Sequence, residues 1–152
     1  MTRFGDEILT SEFSGDDGSA DPQLLVALNL NAQMPSALTA NSIIQALGTA
    51  RLLVPVVAQV ESVNDDGTEK DSHIAQVTFK SADGRVGLPA FTSLQALQDW
   101  DPKARPIAQW ATAVALSCVE SDLDALLIDM ASPHRFAVQG LALLQLANAK
   151  TN

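Results

Sequence analysis

The segment Leu52-Leu53-Val54-Pro55-Val56-Val57-Ala58 limits the possible folds more than any other part of the chain. It is apolar throughout and rich in β-branched residues, with no polar residue in alternate positions. A strand with one face in water alternates; a run without alternation is read as a strand covered on both faces. Such a strand belongs in a layered domain. Pro55 adds a second condition. It has no N–H to give a ladder, so either one side of the strand is open there or a bulge absorbs it.

The flanking residues supply the other layers. Asp21 and Pro22 suit the cap and first position of a helix over 21–31, with Leu24, Leu25 and Leu28 facing inward. A second helix is expected over about 36–47. Ala40, Ile43, Ile44 and Leu47 share one face, and Gly48 ends it. Residues 61–72 read as a long polar hairpin loop, and His73 to Lys80 alternates as a strand. Asp83-Gly84 turns the chain back into Arg85 to Thr92, which completes an antiparallel three-strand meander. Thr92-Ser93-Leu94-Gln95 fits a capping box with Thr92 at the cap, and the short helix it opens stops at Asp101-Pro102.

The helical spacing of Ile107, Trp110, Ala111, Val114 and Cys118 predicts a helix from about Pro106. Residues 124–131 read as a buried strand and Phe136 to Val138 as a brief one. The apolar stretch 139–149 reads as a well-covered helix. The fold class is α/β (α+β): one layered domain, 21–152, with a mixed four- to five-stranded sheet packed against helices. Residues 1–20, acidic and rich in Gly and Ser, are expected to form a flexible N-terminal tail.

Charge narrows the function. With 18 acidic residues against 9 basic ones the chain carries a formal −9, the wrong sign for phosphate backbones or anionic bilayers, so neither nucleic acid nor membrane is an expected partner. A lone Cys118 forms no internal disulfide, and the start of the chain lacks an apolar signal core; both fit a cytoplasmic protein. No phosphate-binding glycine loop, nucleophile elbow or zinc-ligand pattern occurs, and the two acidic loops fail the calcium-loop spacing, so no metal, cofactor or catalytic residue is assigned. Cys118 lies on an apolar helical stripe and reads as a core residue. His73 and His134 read as surface residues with no group to orient them.

One place concentrates polar chemistry. Phe91-Thr92-Ser93 joins a strand to a helix start, where unpaired amides suit an anion, although capping alone explains the hydroxyls. Asp129 and Ser132 reach the same edge if the late strand runs parallel to the one ending at Phe91. Trp100 and Arg105 close the candidate set: Phe91, Thr92, Ser93, Trp100, Arg105, Asp129 and Ser132, with Lys103 and Arg135 offsetting the Asp129 charge.

Val54-Pro55-Val56, the Pro89-to-Ser93 junction with Trp100 trailing it, and the strand from Leu126 to Pro133 together resemble the SseB-like (enhanced serine sensitivity) N-terminal domain family, over about 21–149. The resemblance implies an α/β domain, largely bacterial, without an established activity and without catalytic residues to carry over. Many relatives have Asn near the position of Asp129. The favoured expectation is a non-enzymatic binding or regulatory domain that contacts a protein partner or small metabolite at the junction. An enzyme acting on a small amino-acid-like substrate through Asp129 is the alternative. A homo-oligomeric scaffold, suggested by edge strands and the apolar last helix, is a third.

Overall fold

The structure is a computed structural model that describes residues 13, 15–63 and 69–149; for 57–63 and 69–76 it describes the backbone. In chain order the elements are α1 (Pro22–Gln33), α2 (Ala37–Leu47), β1 (Arg51–Val63), β2 (Glu69–Gln76), β3 (Phe79–Lys80), β4 (Val86–Ala90), α3 (Leu94–Trp100), β5 (Arg105–Trp110), α4 (Ala111–Glu120), β6 (Ala125–Ile128), β7 (Phe136–Gln139) and α5 (Gly140–Asn148). The strands form a three-stranded sheet, β2-β1-β5, and a four-stranded sheet, β3-β4-β6-β7. The mixed α/β class holds, but the strands are divided between two sheets.

Over Leu52–Val54 β1 is covered on both faces, as its composition requires. Leu52 and Val54 enter the main core with Leu24, Leu28, Ile43, Leu47 and the inner faces of α4 and α5. Leu53 points the other way, onto Ala108, with Phe13 and Leu94 packed against that pair. Pro55 explains why the expected meander is split. It stands opposite Pro106 of β5 at a non-hydrogen-bonded pair of that ladder, so the two missing N–H groups cost no bond there. On the other edge of β1, β2 is registered only as far as Val56↔Gln76, and Val77 N–H makes a last bond to Pro55 O at 3.4 Å. Pro55 has no donor to return, so the ladder stops and the chain crosses to the second sheet as β3. Two residues earlier on the same edge, Leu53 and Phe91 exchange both backbone bonds at 2.8 Å, which stitches the sheets together.

Other differences have equally local causes. Residues 105–110 form strand β5 rather than the first turns of a helix, because β1 offers a continuous partner from Arg51↔Trp110 to Val56↔Arg105. The helix starts only at Ala111 and buries Ala111, Val114, Ala115 and Cys118. The loop expected over 61–72 is shorter, since β1 runs to Val63 and β2 begins at Glu69; residues 64–68 lie outside the described ones. In α5, Leu143 and Leu146 are buried but Leu141 is 69% exposed, so this helix is covered on one side only.

Cys118 is buried among these apolar side chains, and loss of water pushes its thiol up to about 11 from 9.0. Above the unfolded value the unfolded chain releases a proton that the folded protein retains, so stability falls as pH rises between the two values. The loss is expected to reach roughly 2 kcal/mol by about pH 10.5. Urea titrations at about pH 8 and pH 10.5 measure it. The wild type should lose more stability between them than Cys118→Ala; equal losses would remove the thiol as the cause.

Candidate functional site

β4 and β6 run parallel, in register from Gly87↔Ala125 to Ala90↔Ile128. Two parallel strands in register release their next residues at the same edge, so Phe91-Thr92-Ser93 and Asp129 emerge side by side. Asp129 N–H continues the ladder to Ala90 O at 3.0 Å. The backbone then turns left-handed at Asp129, φ 51°, a conformation that Asp and Asn adopt more readily than most residues. This turn folds the carboxylate back under the loop, where Asp129 is 1% exposed.

There the carboxylate is fully engaged. Oδ1 accepts Thr92 N–H at 2.8 Å, and Oδ2 accepts the Thr92 hydroxyl at 2.7 Å. His134 Nε2 lies 2.7 Å from the same Oδ2. A carboxylate oxygen accepts, so the hydrogen of that contact belongs on Nε2. The other ring nitrogen, Nδ1, is then free to accept the Ser132 hydroxyl, 2.8 Å away, while Ser132 Oγ accepts His134 N–H at 3.1 Å. The loop is closed further by Ser132 N–H to Asp129 O at 2.9 Å and Arg135 N–H to Ser132 O at 3.2 Å. Asp129, His134 and Ser132 thus form one hydrogen-bonded chain.

The facing wall is the start of α3. Its N-cap is Ser93, whose Oγ accepts Ala96 N–H at 3.0 Å. The cap falls one residue later than the capping-box reading, because Asp129 claims the Thr92 hydroxyl. The amides expected to wait for an anion already have acceptors: Thr92 N–H goes to Asp129, and Leu94 N–H goes to Gly18 O at 2.8 Å. Arg51 anchors that covering segment. Its guanidinium grips both oxygens of Asp16 at 2.6 and 2.8 Å, and donates to Ser19 O at 2.7 Å and Thr92 O at 2.8 Å. The last residues of the expected tail are therefore tied to the domain; most of the earlier ones lie outside the described residues.

Between the walls is a cavity of about 190 Å³, lined among others by Leu25, Ser93, Gln95, Asp99, Ser132 and His134. Of the residues singled out in the sequence, Thr92, Ser93, Asp129 and Ser132 meet here. Phe91 does not: it is 0% exposed and packs with Leu97 and Ala104, its ring 5.3 Å from Trp100. Trp100 is half-buried between Phe91 and Phe79, and Arg105 is exposed at the start of β5; neither lines the cavity, nor do Lys103 and Arg135. His134 corrects the sequence reading, since Asp129 and Ser132 orient it. Half of the signal was present in Ser132-x-His134, since a short hydroxyl two residues away in a loop can reach the imidazole and its backbone. Gln95, Asp99 and the Arg51–Asp16 pair carried no such signal.

Among the described residues no helix is long and apolar enough to cross a membrane. No curated protein and no solved structure gives a significant match to the chain. The family model described as the SseB protein N-terminal domain matches residues 24–145, from the first turn of α1 into α5. The matched span contains both sheets and every residue of the Asp129 network, and on it the chain belongs to the SseB N-terminal domain family.

Proposed function

We propose that this is a non-enzymatic binding or regulatory domain that receives a small metabolite, or one side chain of a protein partner, in the cavity between Ser93 and His134. The observation that carries the reading is the engagement of Asp129. Its carboxylate holds Thr92 and His134 at once, so it acts as a strut that fixes both walls. A site whose walls are held before the ligand arrives loses less entropy on binding. The volume, about 190 Å³, is worth about six waters, the size of a single amino acid and smaller than most cofactor sites. Ser93, Gln95, Asp99 and Ser132 supply hydroxyl, amide and carboxylate groups, and among the described residues no Lys or Arg lines the space, so a ligand bearing an amine or hydroxyl fits better than an anion.

One observation favours a second reading. The order carboxylate, imidazole, hydroxyl in Asp129–His134–Ser132 is that of an activated nucleophile. The two readings separate in one set of measurements. Amide chemical shifts are followed while free amino acids and amino alcohols are added, and p-nitrophenyl acetate hydrolysis is measured in parallel. The expected shifts centre on Ser93, Gln95, Ser132 and His134, with affinity roughly fivefold weaker in Gln95→Ala and no ester turnover. Ester cleavage that disappears in Ser132→Ala would establish the enzyme instead.

A further inference from the structure

Helices α4 and α5 cover one face of the four-stranded sheet; on the other face α3 reaches Phe79 through Trp100. Leu88, Leu126 and Val138 belong to the main core. By alternation their neighbours point the opposite way. The cross-strand rows Phe79↔Gly87↔Ala125↔Gln139 and Pro89↔Leu127↔Ala137 make up that second face. Gly87 keeps it low: a Cβ there would sit 2.6 Å from Leu127 Cδ1, so the leucine lies where a side chain would otherwise stand. An open groove of about 510 Å³ runs over Phe79, Gly87, Leu127, Met130 and Ala137. A second of about 380 Å³ shares Leu127, Met130 and Ala137 and continues to Arg135.

The rim is richer in cations than the protein as a whole: Asp83 and Asp124 balance one end, and the other carries a cation without an acid. Lys80 and Arg85 stand at one end and Arg135 at the other, three of the 9 cations of a chain with net charge −9. Among the described residues no carboxylate pairs with any of them. The two acids at the Lys80 end keep their charge while tied to their own loops: Asp83 accepts the Ser81 hydroxyl and Arg85 N–H and feels the Arg85 charge, and Asp124 accepts Val86 N–H at 2.7 Å. Arg85 reaches the far end of β7 by donating to Gln139. Arg135 precedes β7, so cationic groups bracket this strand, and Arg135 and Gln139 lie roughly 13 Å apart along the chain, four residue steps. β7 also ends the sheet, with no strand among the described residues on its outer edge.

We propose that this face is a docking site for an acidic, apolar segment of a partner protein, bound extended along β7. Its apolar side chains lie on Leu127, Met130 and Ala137. Two carboxylates four residues apart reach Arg85 and Arg135, a spacing an extended chain supplies without strain. The opposite charges would also steer the segment to this face of an otherwise anionic domain.

The probe is the blocked peptide Gly-Glu-Val-Ile-Val-Glu-Gly, titrated into the isotope-labelled chain, with a Lys-for-Glu version as control. Shifts should centre on Leu127, Met130 and Ala137 and leave Ser93 and His134 unmoved, which separates this site from the junction cavity. Arg85→Glu and Arg135→Glu, both at exposed positions, should each weaken binding roughly tenfold or more, and the control peptide should not bind. Equal binding of the two peptides, unchanged affinity in both variants, or no binding at about 1 mM would overturn the proposal. So would a dimer in sedimentation that Arg135→Glu dissociates, since a second copy would then cover the face. Saturable binding of dodecanoate with no binding of the peptide would overturn it in favour of a small anionic amphiphile.

Discussion

Asp129→Ala is expected to lower folding stability by about 4 kcal/mol, a large part of the total for a domain of this size. Three donors converge on the lost carboxylate: Thr92 N–H, the Thr92 hydroxyl and His134 Nε2. Thr92 is 1% exposed, so water does not replace the missing acceptor. Each stranded buried donor costs about 1–3 kcal/mol. Alanine also tolerates the left-handed backbone at φ 51° poorly, which adds about 1 kcal/mol. Asp129→Asn should cost far less, about 1 kcal/mol, for three reasons. Asparagine accepts the left-handed backbone. Its carbonyl can take Thr92 N–H. Its amide can donate to His134 Nε2 if the ring proton moves to Nδ1 and is given to Ser132. Urea denaturation followed by circular dichroism compares the two. Equal stability of the alanine and asparagine proteins would show that the carboxylate is not a strut.

Phe91→Ala is expected to cost about 3–5 kcal/mol through the cavity it leaves among Leu97, Ala104 and Trp100. The position has a second burden. Phe91 N–H and C=O both bond Leu53 at 2.8 Å, so it sits where the two sheets are joined. Phe91→Leu fills part of the same space and should cost about 1.5 kcal/mol. Thermal melts of the two variants test the order. If Phe91 were a contact residue for a ligand, its truncation would leave the melting temperature unchanged and weaken binding. Its complete burial argues for the reverse.

Elements held by local interactions were legible in the sequence. Asp21 caps α1 through bonds that span two or three residues, as its place before Pro22 predicts. The inward stripes of α1, α2 and the later part of α4 lie on the faces their spacing predicts. The uninterrupted apolar run of β1 announced its two covered faces. The approach of Thr92 to Asp129 was foreseen on one condition, parallel strands, and the pairing of β4 with β6 meets it.

What local pattern misread is equally specific. Ile107 and Trp110 have helical spacing with the residues after them, yet residues 105–110 are a strand, because six cross-strand partners on β1 outweigh a local preference. Thr92 and Ser93 look interchangeable as caps; only a carboxylate from another strand chooses between them. His134 looked unoriented because one of its two partners is positioned by the left-handed turn at Asp129, which no pattern announces.

Composition and periodicity thus determined the layered α/β class, the doubly covered strand and the cap of the first helix, since each depends on residues within about one turn of one another. The split of the strands into two sheets, the cavity and the bare face along β7 were decided by tertiary contacts alone. Their bonds join residues far apart in the chain, such as Thr92 and Asp129, 37 positions away from each other. Such bonds exist only after the intervening strands have found their register.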